Sequence, residues 1–183
     1  MQKFLSLFII IFFAYNAFGK TINVGKSQSI TSIQKALQLS QNGDTVLVDA
    51  GIYHEGNLVI NKSIVFKGIN NPVLDGDKRF EIISIKANNV TVDGFKIQHS
   101  GRAALDDIAG IKIYNAKNVT VINNILDDTN FGIYTQNGKC CTIKNNLLIS
   151  YGTGELQSGN GIHCWRCDSM LIIGNIINGH RDG

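Results

Sequence analysis

Gly110-Ile111, Gly132-Ile133 and Gly161-Ile162 recur at spacings of 22 and 29 residues, and Gly183 follows 22 residues after Gly161. Each pair is trailed by a second echo in the same register. These echoes are Val119-Thr-Val-Ile-Asn-Asn-Ile125, Cys141-Thr-Ile-Lys-Asn-Asn-Leu147 and Met170-Leu-Ile-Ile-Gly-Asn-Ile176. Fainter copies lie upstream at Val90-Thr-Val-Asp-Gly-Phe-Lys96 and Ile64-Val-Phe-Lys-Gly68. A repeat of this length built from short apolar strands cannot bury its own hydrophobic face. It must stack on its neighbours, so the chain is expected to form a solenoid.

The strands read from the β-branched runs are Thr45–Val48, Leu58–Ile60, Ser63–Lys67, Ile82–Ile85, Val90–Val92 and Gly110–Ile113. Val119–Ile122, Phe131–Thr135, Cys141–Ile143, Gly161–Cys164 and Met170–Ile173 complete the set. All are bounded by Gly, Asn or Asp, and a single proline, Pro72, suits strands paired on both sides. Alternation along each strand points Ile111, Ile133 and Ile162 inward, and likewise Val121, Ile143 and Ile172. Asn124, Asn146 and Asn175 fall at one corner, where asparagine tolerates left-handed backbone and stacked amides bond from turn to turn. The fold class is therefore all-β: a right-handed parallel β-helix of about six turns. One helix is expected over Ser29–Ser40, with Thr31-x-x-Gln34 as a capping box, closing the open end of the coil.

Residues 1–19 lie outside this pattern. Lys3, an apolar run from Phe4 to Tyr15 and small residues at Ala17-Phe-Gly19 make a secretory signal peptide. The run is about twelve residues, short of the roughly 20 of a membrane span. The domain reading is a signal peptide over 1–19 and a parallel β-helix over 20–183. Gly183 would open a further turn, so the β-helix is expected to be truncated at its C-terminus. The signal would remove one charged residue, Lys3, and leave a net charge of +2 in place of +3. That is too small and scattered to argue for nucleic acid.

In register, Lys112, Tyr134 and His163 form one outward row, with Tyr114, Gln136 and Trp165 beside it. Tyr114, Tyr134, His163 and Trp165 would then make a compact patch, read either as a platform for a sugar ring or partner, or as aromatics that simply suit strands. All four cysteines follow residue 139. His163-Cys-Trp-Arg-Cys167, with His180 one turn later, offers imidazole and thiol ligands for copper or zinc, so His163, His180 and Cys167 are the metal candidates. Alternation points Cys164 inward and His163 outward, which works against that set. Buried spectator thiols, a Cys140–Cys167 disulfide and a metal site all stay open. Asp106-Asp107 and Asp127-Asp128 align within a residue and read as a calcium or substrate-carboxylate row, or as solvated turns. The sequence offers no convergent acid, base and nucleophile, so a non-enzymatic role is expected.

Ser158-Gly-Asn-Gly-Ile-His-Cys-Trp165, Ile173-Gly-Asn-Ile176 and Arg181-Asp-Gly183 closely resemble the NosD family, periplasmic maturation proteins of nitrous oxide reductase. Asn42-Gly-Asp44, Gly51-Ile-Tyr53, Val73-Leu-Asp-Gly76, Val90 to Phe95, Ala109-Gly-Ile111 and Phe131-Gly-Ile-Tyr134 look like that family's successive blocks, in order. Cys164 and Cys167 depart from its pattern, and its members are longer. The resemblance implies a periplasmic protein, peripheral to the membrane, that supports copper-centre assembly in nitrous oxide reductase. Its partners would be the reductase and an ABC transporter of ATPase and permease (NosF- and NosY-like), with copper as the one cofactor implied. Tyr114, Tyr134, Trp165, Arg181 and Asp182 are the expected partner or ligand surface, together with His163. The rival readings are a polysaccharide-binding β-helix or uronate-polymer lyase or epimerase, and a passive surface scaffold.

Overall fold

The computed structural model describes residues 19–103, 106–152 and 158–182. The expected signal peptide over residues 1–19 lies outside the described residues apart from Gly19. Three parallel sheets run along a coil of about six turns. The first sheet stacks Thr21–Val24, Thr45–Val48, Val65–Gly68, Thr91–Asp93, Thr120–Ile122, Thr142–Lys144 and Leu171–Ile173. The second stacks Leu58–Ile60, Ile83–Ile85, Ala109–Tyr114, Phe131–Gln136 and Ile162–Trp165. The third stacks Ile52–Tyr53, Val73–Asp75, Lys96–Gln98, Ile125–Asp127, Leu147–Ile149 and Ile176–Asn178. The parallel β-helix read from the repeats is the fold.

Two features differ from the sequence reading. The third sheet and Thr21–Val24 were not expected as strands. Third-sheet strands are two or three residues long, and none buries more than one apolar side chain, such as Leu74, Ile97, Leu126 or Leu148. One inward residue gives no readable period. The helix covers only Ile33–Leu39. Its N-cap is Ser32, whose Oγ accepts from the Lys35 N–H at 3.2 Å, so the Thr31 capping box is not formed. The first-turn N–H groups of Ile33 and Gln34 donate instead to the Glu55 carboxylate, at 2.7 and 2.8 Å. Glu55 comes from the next turn of the coil and also accepts from the Ser32 hydroxyl at 2.6 Å. A partner distant in sequence thus sets the helix start. Ile33, Ala36 and Leu37 face the first turns and are buried there, as a cap requires.

The interior is built of columns. Ile83, Ile111, Ile133 and Ile162 stack along the second sheet, and Val92, Val121 and Ile143 along the first. Phe66 and Phe95 stack with ring centroids 4.3 Å apart. Ile172 continues its column but is 46% exposed, because the last described turn has a neighbour on one side only.

The Asn corner divides its work between two adjacent positions. Asn123, Asn145 and Gly174 take the left-handed backbone, with φ of 56°, 55° and 67°. Asn124, Asn146 and Asn175, one residue later, turn inward and bond along the coil. Asn146 Oδ1 accepts from the Asn124 N–H at 3.0 Å, and Asn175 Oδ1 accepts from the Asn146 N–H at 2.9 Å. The corner groups therefore meet partners inside the coil, where water is excluded.

Candidate functional site

Inward Ile111 and Ile113 force their neighbours outward, so the second sheet presents Ser84, Lys112, Tyr134 and His163 in one row. Tyr114, Gln136 and Trp165 run beside it, as the register predicts. The Tyr134 and His163 rings lie 4.7 Å apart, and Phe131 meets their edges at 5.3 and 5.8 Å. Lys112 Nζ sits 4.7 Å from the Tyr134 ring and 5.2 Å from the Tyr114 ring, and donates to the Asp107 carbonyl at 2.9 Å. Tyr134 is consequently only 6% exposed, so its ring face is not an open platform. Burial, then the charge of Asp107 and a hydrogen bond to it, push its phenol up to about 12.

Glu81 anchors the other end of the patch. The Tyr114 hydroxyl donates to both of its carboxylate oxygens, at 3.1 and 3.0 Å, and Ser84 Oγ bonds to the same group. Burial holds the Glu81 carboxyl above its ordinary value despite those bonds and the nearby Lys112 and Lys86. Trp165 stands apart, 49% exposed, with Arg166 packed 5.7 Å from its ring.

A second network closes the far end of this face. Asn160 Nδ2 lies 3.1 Å from His163 Nδ1, and Asn160 Oδ1 accepts from Arg181 Nη2 at 3.1 Å. Arg181 Nε reaches Asp182 Oδ2 at 3.4 Å, while the Asp182 carbonyl accepts from the Gly161 N–H at 2.8 Å. Because Asn160 Oδ1 accepts from Arg181, the Asn160 amide nitrogen is the group that meets His163 Nδ1. A Cβ on Gly159 would come within 2.6 Å of the Phe131 ring, so glycine there lets the segment pass. Asn160 and His163, both half-buried, and the exposed Arg181 and Asp182, separated in sequence, thus form one hydrogen-bonded cluster. Asn160, Phe131 and Glu81 were not singled out by sequence reasoning. The Asn in Gly-Asn-Gly was the available signal for the first, and none existed for Glu81.

The metal candidates do not gather. His163 lies on the outer row, whereas Cys167 points inward with its Sγ 3.3 Å from the Thr135 carbonyl. His180 Nδ1 lies 3.3 Å from the Gly159 carbonyl, its Nε2 is buried with no partner, and burial pushes its pKa down. Cys164 follows Thr135 and Ile113 in the inward column, and all four thiols are free. Cys164 is exposed on the last described turn, yet partial desolvation, then the charge of Cys167, raises its thiol to about 11; burial raises Cys141. Thiols held protonated are poor nucleophiles and poor ligands. The carboxylates also part company. Asp127 stacks on Gln98 and Asp75, while Asp107 reaches the Lys112 side. Lys96 pairs with Asp127 at 2.9 Å and Arg102 with Asp128 at 2.7 Å, so that corner is already neutralised.

Neither a family model nor a solved structure matches the chain. It is 26% identical over 149 residues to a probable ABC transporter binding protein, NosD, of Pseudomonas aeruginosa; the match spans 80% of this chain and 35% of that protein. It is 28% identical over 135 residues to a cell surface glycoprotein of Methanothermus fervidus, across 70% of this chain and 21% of that protein. The chain thus spans about a third or less of the curated relatives it matches. Both likenesses, with the stacked parallel sheets, fit the parallel β-helix class.

Proposed function

We propose that this chain belongs to a NosD-like, non-enzymatic accessory protein, exported to the periplasm, that works beside an ABC transporter in copper-centre assembly of nitrous oxide reductase. One observation carries the reading. The motif residues Asn160, His163, Arg181 and Asp182, on which the resemblance rests, close into a single hydrogen-bonded surface. Likeness to a protein named for binding an ABC transporter, extending over most of the chain, supports the partner class. The role of the surface is contact with a partner. The half-buried His163 imidazole and the exposed Arg181 guanidinium beside it make a suitable edge for a carboxylate-bearing protein face.

Deleting the gene should leave nitrous oxide reductase synthesised but without its catalytic copper–sulfur centre. A gene carrying Arg181→Ala should restore the centre less well than the native gene. Full reductase activity in the deletion strain would end this reading.

The Glu81–Tyr114 pair favours a second reading, a β-helix that binds or cleaves acidic polysaccharide. A half-buried carboxyl beside a tyrosine and two lysines, Lys86 and Lys112, offers a cradle for a uronate. Incubation with uronate polymers separates the two, since unsaturated products released in a calcium-dependent reaction would favour the rival.

A further inference from the structure

At the corner where the third-sheet strands end, two adjacent turns of the coil aim ligand atoms at one point. We propose that His54, Asp75 and Asp77 hold a divalent transition-metal ion of the Zn2+ class. Among the described residues they form the one group of three or more His, Cys, Asp or Glu whose ligand atoms all lie within 4.8 Å of one another. Such atoms can close around an ion at about 2.0–2.2 Å with small side-chain shifts. His54 Nδ1 already stands 2.7 Å from Asp77 Oδ1.

The backbone explains why the two carboxylates share a side. Asp75 ends the strand Val73–Asp75, and its Oδ1 accepts from the Asp77 N–H at 2.9 Å. Asp77 and Lys78 then both take left-handed backbone, with φ of 51° and 57°, which folds the Asp77 carboxylate back beside that of Asp75. His54 follows the strand Ile52–Tyr53, whose Tyr53 stacks on Leu74 in register. The third turn supplies support. Gln98 Nε2 donates to Asp75 Oδ2 at 2.8 Å, and His99 Nδ1 lies 2.9 Å from the same oxygen. A ligand carboxylate oriented by an amide and an imidazole is the arrangement that fixes metal geometry.

Charge points the same way. With His54 in its neutral, metal-binding form, the Arg79 Nη2 stands off at 3.9 Å from Asp77, and the other basic group in reach is the His99 imidazole that orients Asp75. Lys78 is turned to Asp128 instead. A dication satisfies both carboxylates. One imidazole with two carboxylates suits zinc, cobalt or manganese better than calcium, which prefers an all-oxygen shell. The site lies on the early turns, away from all four cysteines, which follow residue 139. It does not depend on the transporter reading.

Co2+ serves as the probe, titrated into the full chain and followed by visible absorption. The expected result is saturable one-to-one binding with d–d bands and no thiolate charge-transfer band. His54→Ala and Asp77→Asn should each weaken it at least tenfold, with Cys167→Ser unchanged. The melting midpoint should rise with Co2+ in the native chain and not in His54→Ala. A thiolate spectrum, binding untouched by the His54 and Asp77 substitutions, or no saturable binding would overturn the proposal.

Discussion

Replacing Asn146 by alanine removes the middle amide of the corner ladder. Its Oδ1 accepts from the Asn124 N–H at 3.0 Å and from Asn124 Nδ2 at 3.1 Å. Its Nδ2 donates to the Val121 carbonyl at 3.0 Å and to Asn175 Oδ1 at 2.9 Å. Some partners keep alternatives. Asn124 Nδ2 still reaches the carbonyls of Val92 and Ile122, and Asn175 Oδ1 still accepts from the residue-146 N–H. The Asn124 N–H loses its acceptor in a corner where Asn124 is 1% exposed. The lost bond to the Val121 carbonyl at about 1 kcal/mol, plus about 1–3 kcal/mol for the stranded Asn124 donor, gives a loss of about 2–4 kcal/mol. Turns of a solenoid contact only their neighbours, so the damage should be local. Urea denaturation gives the total, and amide exchange at Asn124 gives the local opening. Asn146→Asp keeps the acceptors but loses the donors. Burial would raise its carboxyl in the folded state, so its deficit should grow as pH rises above the ordinary carboxylate value of about 4. A cost below about 1 kcal/mol for Asn146→Ala, with unchanged exchange at Asn124, would refute the ladder as a structural element.

Gly132→Ala should cost about 3 kcal/mol or block folding, because its Cβ would lie 2.4 Å from the Gly161 carbonyl oxygen; thermal melting reads this out. Cys140 is exposed at a left-handed corner with φ of 51°, so Cys140→Gly should raise stability by about 0.5–1 kcal/mol in the same assay. Burial pushes the Asp75 carboxyl up, but bonds from Gln98, the Asp77 N–H and His99 outweigh it and hold it below the ordinary value. Its folded-state pKa is depressed, so its contribution is present above about pH 4 and lost as pH falls through the lowered value. Denaturation midpoints between about pH 5 and 2 should therefore fall more steeply for the native chain than for Asp75→Asn. Asn160→Ala should loosen His163 and Arg181 together, visible as coupled shifts of both side chains by NMR, with little change in melting.

The sequence by itself determined the coil. Gly-Ile and Asn-Asn echoes at fixed spacing leave one way to bury Ile111, Ile133 and Val121, and the predicted outward row from Lys112 to His163 follows from the same alternation. Register is decided locally, because a slip of one residue would turn every isoleucine to solvent. The third sheet was not legible, since one buried side chain per strand, such as Leu126, carries no period. The start of the helix was not legible either, because Glu55 caps it from 22 residues away. The sites needed the third dimension most. The shared column of Thr135 and Cys164 follows from the alternation, but the cover that Lys112 puts over Tyr134 is not written in the spacing of those residues. His163, His180 and Cys167 are near in sequence and lie on different surfaces. His54, Asp75 and Asp77 are spread over two turns and converge, because stacking brings residues about one turn apart to within the spacing of neighbouring strands.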